Sequence, residues 1–536
     1  MNNTRIEEIF QLFRYKACSF DFFHIIITIA ALLALFADFF TKSYDGDIDH
    51  EIYFGQRLLS GELIWTVEYH DKLFVVQLLH AIPAYFESVQ VLRIMSLASC
   101  LSAAWSLWAL LPKLSGPGAI WPLKPSHVAL IYISGMTLLP ESIAHINSIA
   151  GNLALISILL FFNDRRSPAR LLGAATIAAL AISIRPYLLL PILTVAIWYG
   201  LRNEQPARMK AMPTLRLFLV WTIAVGAAGV FLNVGVYAVT GNMEGFWAGI
   251  TMLAQKATSD TTFSILRTQA RVVFSANWIM VSAVTAGTAW LALAIIMLRR
   301  GQETRIALID LLFIGAAFPI IFQLSFISKH FWPSYANFVF PFALLGTYFL
   351  VSNTGAMLRS NIERAFFQGV MVGYFAFFTS TTFSSSLSEV REVTRTNRDH
   401  VNHWELVFLT EFLSHQPEGQ RDFLVPTDMY SHWKLNEPRR GFPHATNIEH
   451  VTEFSFLTWL EVPRHFDFPK TYSSICEKIR KETPHLVAIW QSKPLFACLS
   501  ARDSGFNIAA ELPMPHKRDR FIIFARHVQS IPNTPH

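Results

Sequence analysis

Apolar stretches about as long as a bilayer is thick recur along residues 1–385, and nothing else constrains the fold as strongly. A helix needs roughly 20 apolar residues to cross the hydrocarbon core, where its backbone polar groups must be satisfied within the segment. Segments at about 20–40, 91–112, 127–140, 147–162, 170–184, 186–201, 217–240, 276–298, 306–327, 331–351 and 366–384 fit this description. Pro186 interrupts what is otherwise one long apolar run, so the fifth and sixth segments form a hairpin. The run at 20–40 is long enough to span, and no small-residue cleavage site follows it, so it reads as a retained span. Only 15% of residues are charged, against about 25% in soluble domains. The mean hydropathy is +0.36. The expectation is an α-helical polytopic membrane protein of about eleven transmembrane helices.

Loop charges orient these spans. With a cytoplasmic N-terminus, alternate loops carry clusters such as Arg165, Arg166 and Arg170, or Arg202, Arg208, Lys210 and Arg216, or Arg299, Arg300 and Arg305. The opposite loops are longer and poorer in cations, as the positive-inside rule requires. The net charge of +6 is thus spread over cytoplasmic loops rather than gathered in a nucleic-acid stripe. An odd number of spans leaves the C-terminal part outside. The expected division is a membrane domain over 1–385, with a first external loop at 41–90, and a small extracytoplasmic α/β domain over 386–536. Phe423–Val425, Leu486–Ile489 and Phe521–Phe524 read there as strands, and Val401–His415 and Tyr472–Lys481 as amphipathic helices. Cys476 and Cys498 both fall in this domain, where an oxidising compartment permits a disulfide; two buried thiols are the alternative.

The first external loop holds the densest chemistry. Asp45, Asp47, Asp49 and Glu51 alternate with other residues just beyond the first span, and residues 50–60 look helical, with Gly61 as the stop. Trp65, Tyr69, His70, Asp71 and Lys72 follow, then an apolar run from Leu73 to Phe86. The plain reading is a solvated acidic loop. The chemical reading is that crowded carboxylates resist joint ionisation, which raises one of them toward the range of a general base. The same oxygens also suit a divalent cation, Mg or Mn, although no motif demands a cofactor.

In order, Asp49, Tyr53, Leu59-Ser60-Gly61, Trp65, Tyr69 and Lys72 resemble the first external loop of the C-type (GT-C) membrane glycosyltransferases. This superfamily includes protein O-mannosyltransferases and the aminoarabinose transferases acting on lipid A. In detail the likeness covers about residues 38–95, and it departs at Leu73-Phe74, where relatives often carry proline. The resemblance implies a sugar donor carried on a polyprenyl phosphate and an inverting transfer to an acceptor hydroxyl. Asp49 or Asp47 would be the base. A departing phosphate needs cations in a poorly hydrated site. Lys72, Arg185, Lys329 and His330 stand at external span ends and are the candidates, with snorkelling to headgroups as the alternative for each. Tyr53, Glu141, His145 and Tyr335 are candidates for positioning substrate, and Asn337 for facing a cavity. The expected partners are the lipid-linked sugar, membrane lipids, and a glycan, lipid or protein acceptor, with no nucleic acid. The location implied is a bacterial inner membrane. A multi-pass transporter or lipid flippase is the main rival, followed by a non-catalytic envelope assembly protein. Against the first, the sequence has no two related halves.

Overall fold

A computed structural model describes residues 25, 28–36, 46–61, 63, 72–86, 88–114, 125–138, 145–163, 167–202 and 211–257. It also describes positions 337, 340–342, 344–345, 348, 384, 387, 412 and 415, and residues 423–424, 486–490, 494–501, 504–513 and 520–526. The expected spans at 276–298, 306–327 and 366–384 lie wholly or almost wholly outside these residues. So do the two tail helices expected at 401–415 and 472–481, apart from positions 412 and 415.

Within the described residues the membrane part is helical. Helices run over Gly46–Leu59 (α1), Phe74–Tyr85 (α2), Val89–Leu114 (α3), Pro125–Leu138 (α4), Ile146–Asn163 (α5), Pro168–Ile184 (α6), Leu189–Arg202 (α7), Ala211–Val239 (α8) and Met243–Ala257 (α9). Helices α3 to α8 fall on the second to seventh expected spans. Among the described residues, α3 and α8 contain continuous apolar stretches of 22 residues, Gln90–Leu111 and Phe218–Val239. Both also present large apolar side chains outward: Trp105 and Trp108 on α3, and Ile223, Val230 and Phe231 on α8. Such surface is unfavourable in water and neutral against lipid tails. The break at Pro186 is real. Arg185 is extended (φ −137°, ψ 97°), Pro186–Leu188 form a 3-10 turn, and α7 follows.

By compactness the chain divides into two units. One comprises Met1–Ser43, Arg93–Val236 and Asp260–Arg398; the other comprises Tyr44–Leu92, Tyr237–Ser259 and Asp399–His536. The first unit is built on small residues. Ala174, Ala175, Ala178, Ala179 and Ala181 of α6 are all buried. Without a Cβ branch they let α5 approach closely, and the Ser157 hydroxyl donates to the Ala174 carbonyl across the contact at 2.8 Å. Tyr132 of α4 stacks on Phe340, ring centroids 5.9 Å apart, and a Cβ at Gly135 would run into the same Phe340 ring.

The second unit contains α1, α2, α9 and a four-stranded sheet. Two features differ from expectation. The stretch between the expected spans 217–240 and 276–298 holds a helix, Met243–Ala257, that the span pattern does not predict. Gly241 makes the preceding turn at φ +73°, and Glu244 sits in the helix's first turn, where the dipole favours it. In the tail, strands Phe423–Leu424 (β1), Leu486–Trp490 (β2) and Arg520–Arg526 (β4) match the expected segments. Phe506–Pro513 (β3) was not foreseen. The order is β1-β2-β4-β3, with β1 parallel to β2 and the other pairs antiparallel. Central β4 buries Phe521, Ile522, Ile523 and Phe524 in succession, which is why it reads as an apolar run. Edge strand β3 is broken by a register shift between Ile508 and Ala510, and most of its side chains are exposed, which erased its pattern. A short helix, Pro494–Leu499 (α10), precedes β3 and carries Cys498, which is disulfide-bonded; its partner lies outside the described residues. Cys100 is buried in α3.

Candidate functional site

Helix α1 begins earlier than the sequence suggested. Asp47 and Asp49 lie in its first turns rather than in a loop, where the helix dipole favours acidic residues, while Arg57 sits in the last turn. Gly61 ends the helix with φ +87°, its N–H donating to the Leu58 carbonyl at 2.9 Å. Lys72 is half-buried immediately ahead of α2. Leu73 takes an extended N-cap conformation (φ −82°, ψ 162°), and Phe74 opens the helix. Phe74 is held by an edge-on contact with Tyr237 at 6.3 Å, and Tyr237 in turn meets Phe246 of α9 at 5.5 Å. The residue pair that sets up Lys72 is therefore anchored in aromatic packing.

Helices α1 and α2 are tied together by polar contacts between buried side chains. Glu51 Oε2 is 3.1 Å from His80 Nε2, with both side chains almost fully buried. His80 Nδ1 lies 2.9 Å from the Val76 carbonyl, which can only accept, so Nδ1 carries a proton. One turn away, the Gln77 amide donates to the Phe54 carbonyl at 3.0 Å. Beside these contacts, a Cβ at Gly55 would run into the backbone of His80 and Ala81, so the helices cross backbone to backbone there.

A second cluster belongs to the other unit. Arg185, at the end of α6, donates from Nε to the Asn147 side-chain oxygen. His145 precedes α5, and its Nδ1 accepts the Asn147 backbone N–H at 3.1 Å, capping the helix. All three residues are buried. Asn147 Nδ2 has no hydrogen-bond partner among the described residues. An unpaired amide donor in a dry interior is costly unless something accepts from it. Here it stands beside a guanidinium and at a helix N-terminus, both of which favour an anion. Nearby in the same unit, the Tyr132 hydroxyl donates to Asn152 Oδ1 at 2.5 Å, and the Asn152 amide donates to Ser99 at 2.8 Å. Asn233 of α8 donates to the Ser183 hydroxyl at 2.6 Å. Asn337 is fully buried, so it faces protein and not lipid.

Two solved structures align over nearly the whole chain. The fold is similar to that of ArnT. Against ArnT from Cupriavidus metallidurans in the apo state, the TM-score is 0.53 at 12% identity, covering 95% of this chain and 98% of that one. Against ArnT from the same organism bound to undecaprenyl phosphate, the TM-score is 0.47 at 12% identity, covering 94% and 98%. No protein-family model matches the sequence, and a search of curated proteins returned no match either. The ArnT-like architecture is that of a polytopic membrane protein, and it agrees, at the level of fold, with the likeness of the first external loop.

Within this ArnT-like frame the expected site residues fall into three groups. Asp47, Asp49 and Tyr53 lie on α1 and Lys72 just before α2, in one unit. Arg185 and His145 are joined through Asn147 in the other. Glu141, Lys329, His330 and Tyr335 lie outside the described residues. Sequence reasoning missed Glu51, Gln77, His80 and Asn147. The available signal was slight: Gln77 and His80 are three apart on one face of an otherwise apolar helix, and Asn147 follows His145 by two. Glu51 is engaged by His80, which removes it from any cation site that the acidic segment could form with Asp47 and Asp49.

Proposed function

We propose that this chain is an inverting glycosyltransferase that moves a sugar from a polyprenyl-phosphate donor to an acceptor hydroxyl at the outer face of the membrane. The observation that carries the reading is the α1–α2 pair. An acidic helix start and a half-buried lysine are held on two interlocked helices, in a chain whose fold is similar to ArnT. A lipid phosphate as the donor's anchor follows from the likeness of the first external loop to the GT-C membrane glycosyltransferases.

Asp49 or Asp47 removes the proton from the acceptor hydroxyl as its oxygen bonds to the anomeric carbon. The bond from that carbon to the phosphate oxygen breaks on the opposite side, and the phosphate leaves with the electron pair. The candidates to offset the charge it gains are Lys72, Arg185, Lys329 and His330. Asn147 supports this assignment for Arg185: its oxygen orients the guanidinium, and its unpaired amide can donate to a phosphate oxygen. His145, Glu141, Tyr53 and Tyr335 serve to orient substrate. If a divalent cation, Mg or Mn, takes part, Asp47 and Asp49 are candidate carboxylates to hold it. A disulfide at Cys498 supports an extracytoplasmic tail, since disulfides persist in oxidising compartments.

The test is transfer from a polyprenyl-phosphate sugar by purified Asp49→Asn and Asp47→Asn proteins. Loss of about 10²-fold or more in kcat is expected for the variant that lacks the base. Wild-type rates in both would rule out a base on α1.

A further inference from the structure

We propose that Glu51 and His80 are positioning residues, a buried pair sharing one proton that locks the acidic helix α1 against α2 and so fixes the acidic turn relative to Lys72. The proposal rests on the catalytic reading of Asp47, Asp49 and Lys72 given above. Because His80 Nδ1 must donate to the Val76 carbonyl, only Nε2 is left to face Glu51. A carboxylate opposite a bare Nε2 would set lone pair against lone pair. The contact at 3.1 Å therefore requires one further proton on the pair, either imidazolium against carboxylate or neutral imidazole against carboxylic acid. Both forms are neutral overall, as the dry surroundings demand.

The geometry converts this pair into a register pin. Glu51 stands one helical turn from Asp47 on α1. Gln77–Phe54 and the backbone approach at Gly55 lie one turn further along α1, so the two helices can neither slide nor rotate without breaking polar contacts. At the other end of α2, Phe74 is fixed by Tyr237. The acidic start of α1 and the lysine before α2 are thus each within about a turn or two of a fixed point. A catalytic base misplaced by about 1 Å loses rate steeply.

The test compares Glu51→Ala and Glu51→Gln in the full-length protein by two measurements. Spin labels at Leu59→Cys and Tyr85→Cys, both exposed positions, report the α1–α2 distance after subtraction of the signal from protein with only its native cysteines. Steady-state kinetics with a polyprenyl-phosphate sugar report kcat and KM for correctly folded, gel-filtered protein. Glu51→Gln can donate to the neutral imidazole, so it should keep a narrow distance distribution and kcat within about threefold. Glu51→Ala should broaden the distribution and lower kcat roughly tenfold or more, with donor KM little changed. The positioning role is overturned if Glu51→Ala keeps a narrow distribution, or if kcat per folded molecule stays at the wild-type value. If wild-type protein transfers no sugar, the catalytic reading fails by itself; the distance measurement still decides whether the pair locks the helices.

Discussion

Glu51 and Asn147 are the two side chains whose surroundings carry the most consequence. Removing one member of a buried hydrogen-bonded pair leaves the other unsatisfied, at a cost of about 1–3 kcal/mol. Glu51→Ala should therefore lower the thermal melting point in detergent clearly, and Glu51→Gln much less. Asn147 makes a different prediction. If its unpaired amide donates to a phosphate oxygen, Asn147→Asp places a carboxylate where an anion belongs. Binding of polyprenyl phosphate, measured without turnover by thermal shift, should then weaken about tenfold or more, while Asn147→Ala weakens it less. Equal binding by wild type and Asn147→Asp would remove Asn147 from the phosphate site. Neither residue was legible as functional in the sequence. An acidic residue among three others, and an asparagine at a helix start, gain meaning only from a partner on another helix.

At the scale of elements, helix packing decides what substitutions are tolerated. Buried Ala178 on α6 lies in the stripe of small residues that α5 approaches. Ala178→Leu should overpack that contact and cost about 1–3 kcal/mol, read as a lower melting temperature with unchanged helix content by circular dichroism. Ala→Ser at the same position should be much milder. Element existence was largely readable: apolar length revealed α3 to α8, Gly61 marked the end of α1, and Pro186 marked the break between α6 and α7. The failures have physical causes. Exposed β3 has no alternating burial to reveal it, and α9 is a short helix set among polar residues that read as loop. The start of α1 was missed because an acidic run reads as a solvated loop, whereas a helix N-terminus also welcomes it.

For the molecule as a whole, orientation is the property to test. With the tail outside, Ser500→Cys, an exposed position after α10, should label with a membrane-impermeant maleimide in intact cells. A cysteine in the cationic segment between α5 and α6, such as Arg166→Cys, should label only after permeabilisation. Cys498 should become reactive only after reduction, and Cys476→Ser should expose it without reductant if Cys476 is its partner. Labelling of Ser500→Cys only in broken cells would invert the topology and end the case for chemistry at the outer face.

The sequence by itself determined that this chain lives in a membrane and roughly where its helices run, and its loop charges set the expectation for which face is cytoplasmic. Those properties follow from local composition, because the bilayer acts on each segment independently. Tertiary structure alone decided that Glu51 meets His80, that Arg185 is steered by Asn147, and that Gly55 lets two backbones touch. Such pairings depend on how helices cross, and crossing is set by side-chain shapes on several helices at once, which no single stretch of sequence encodes.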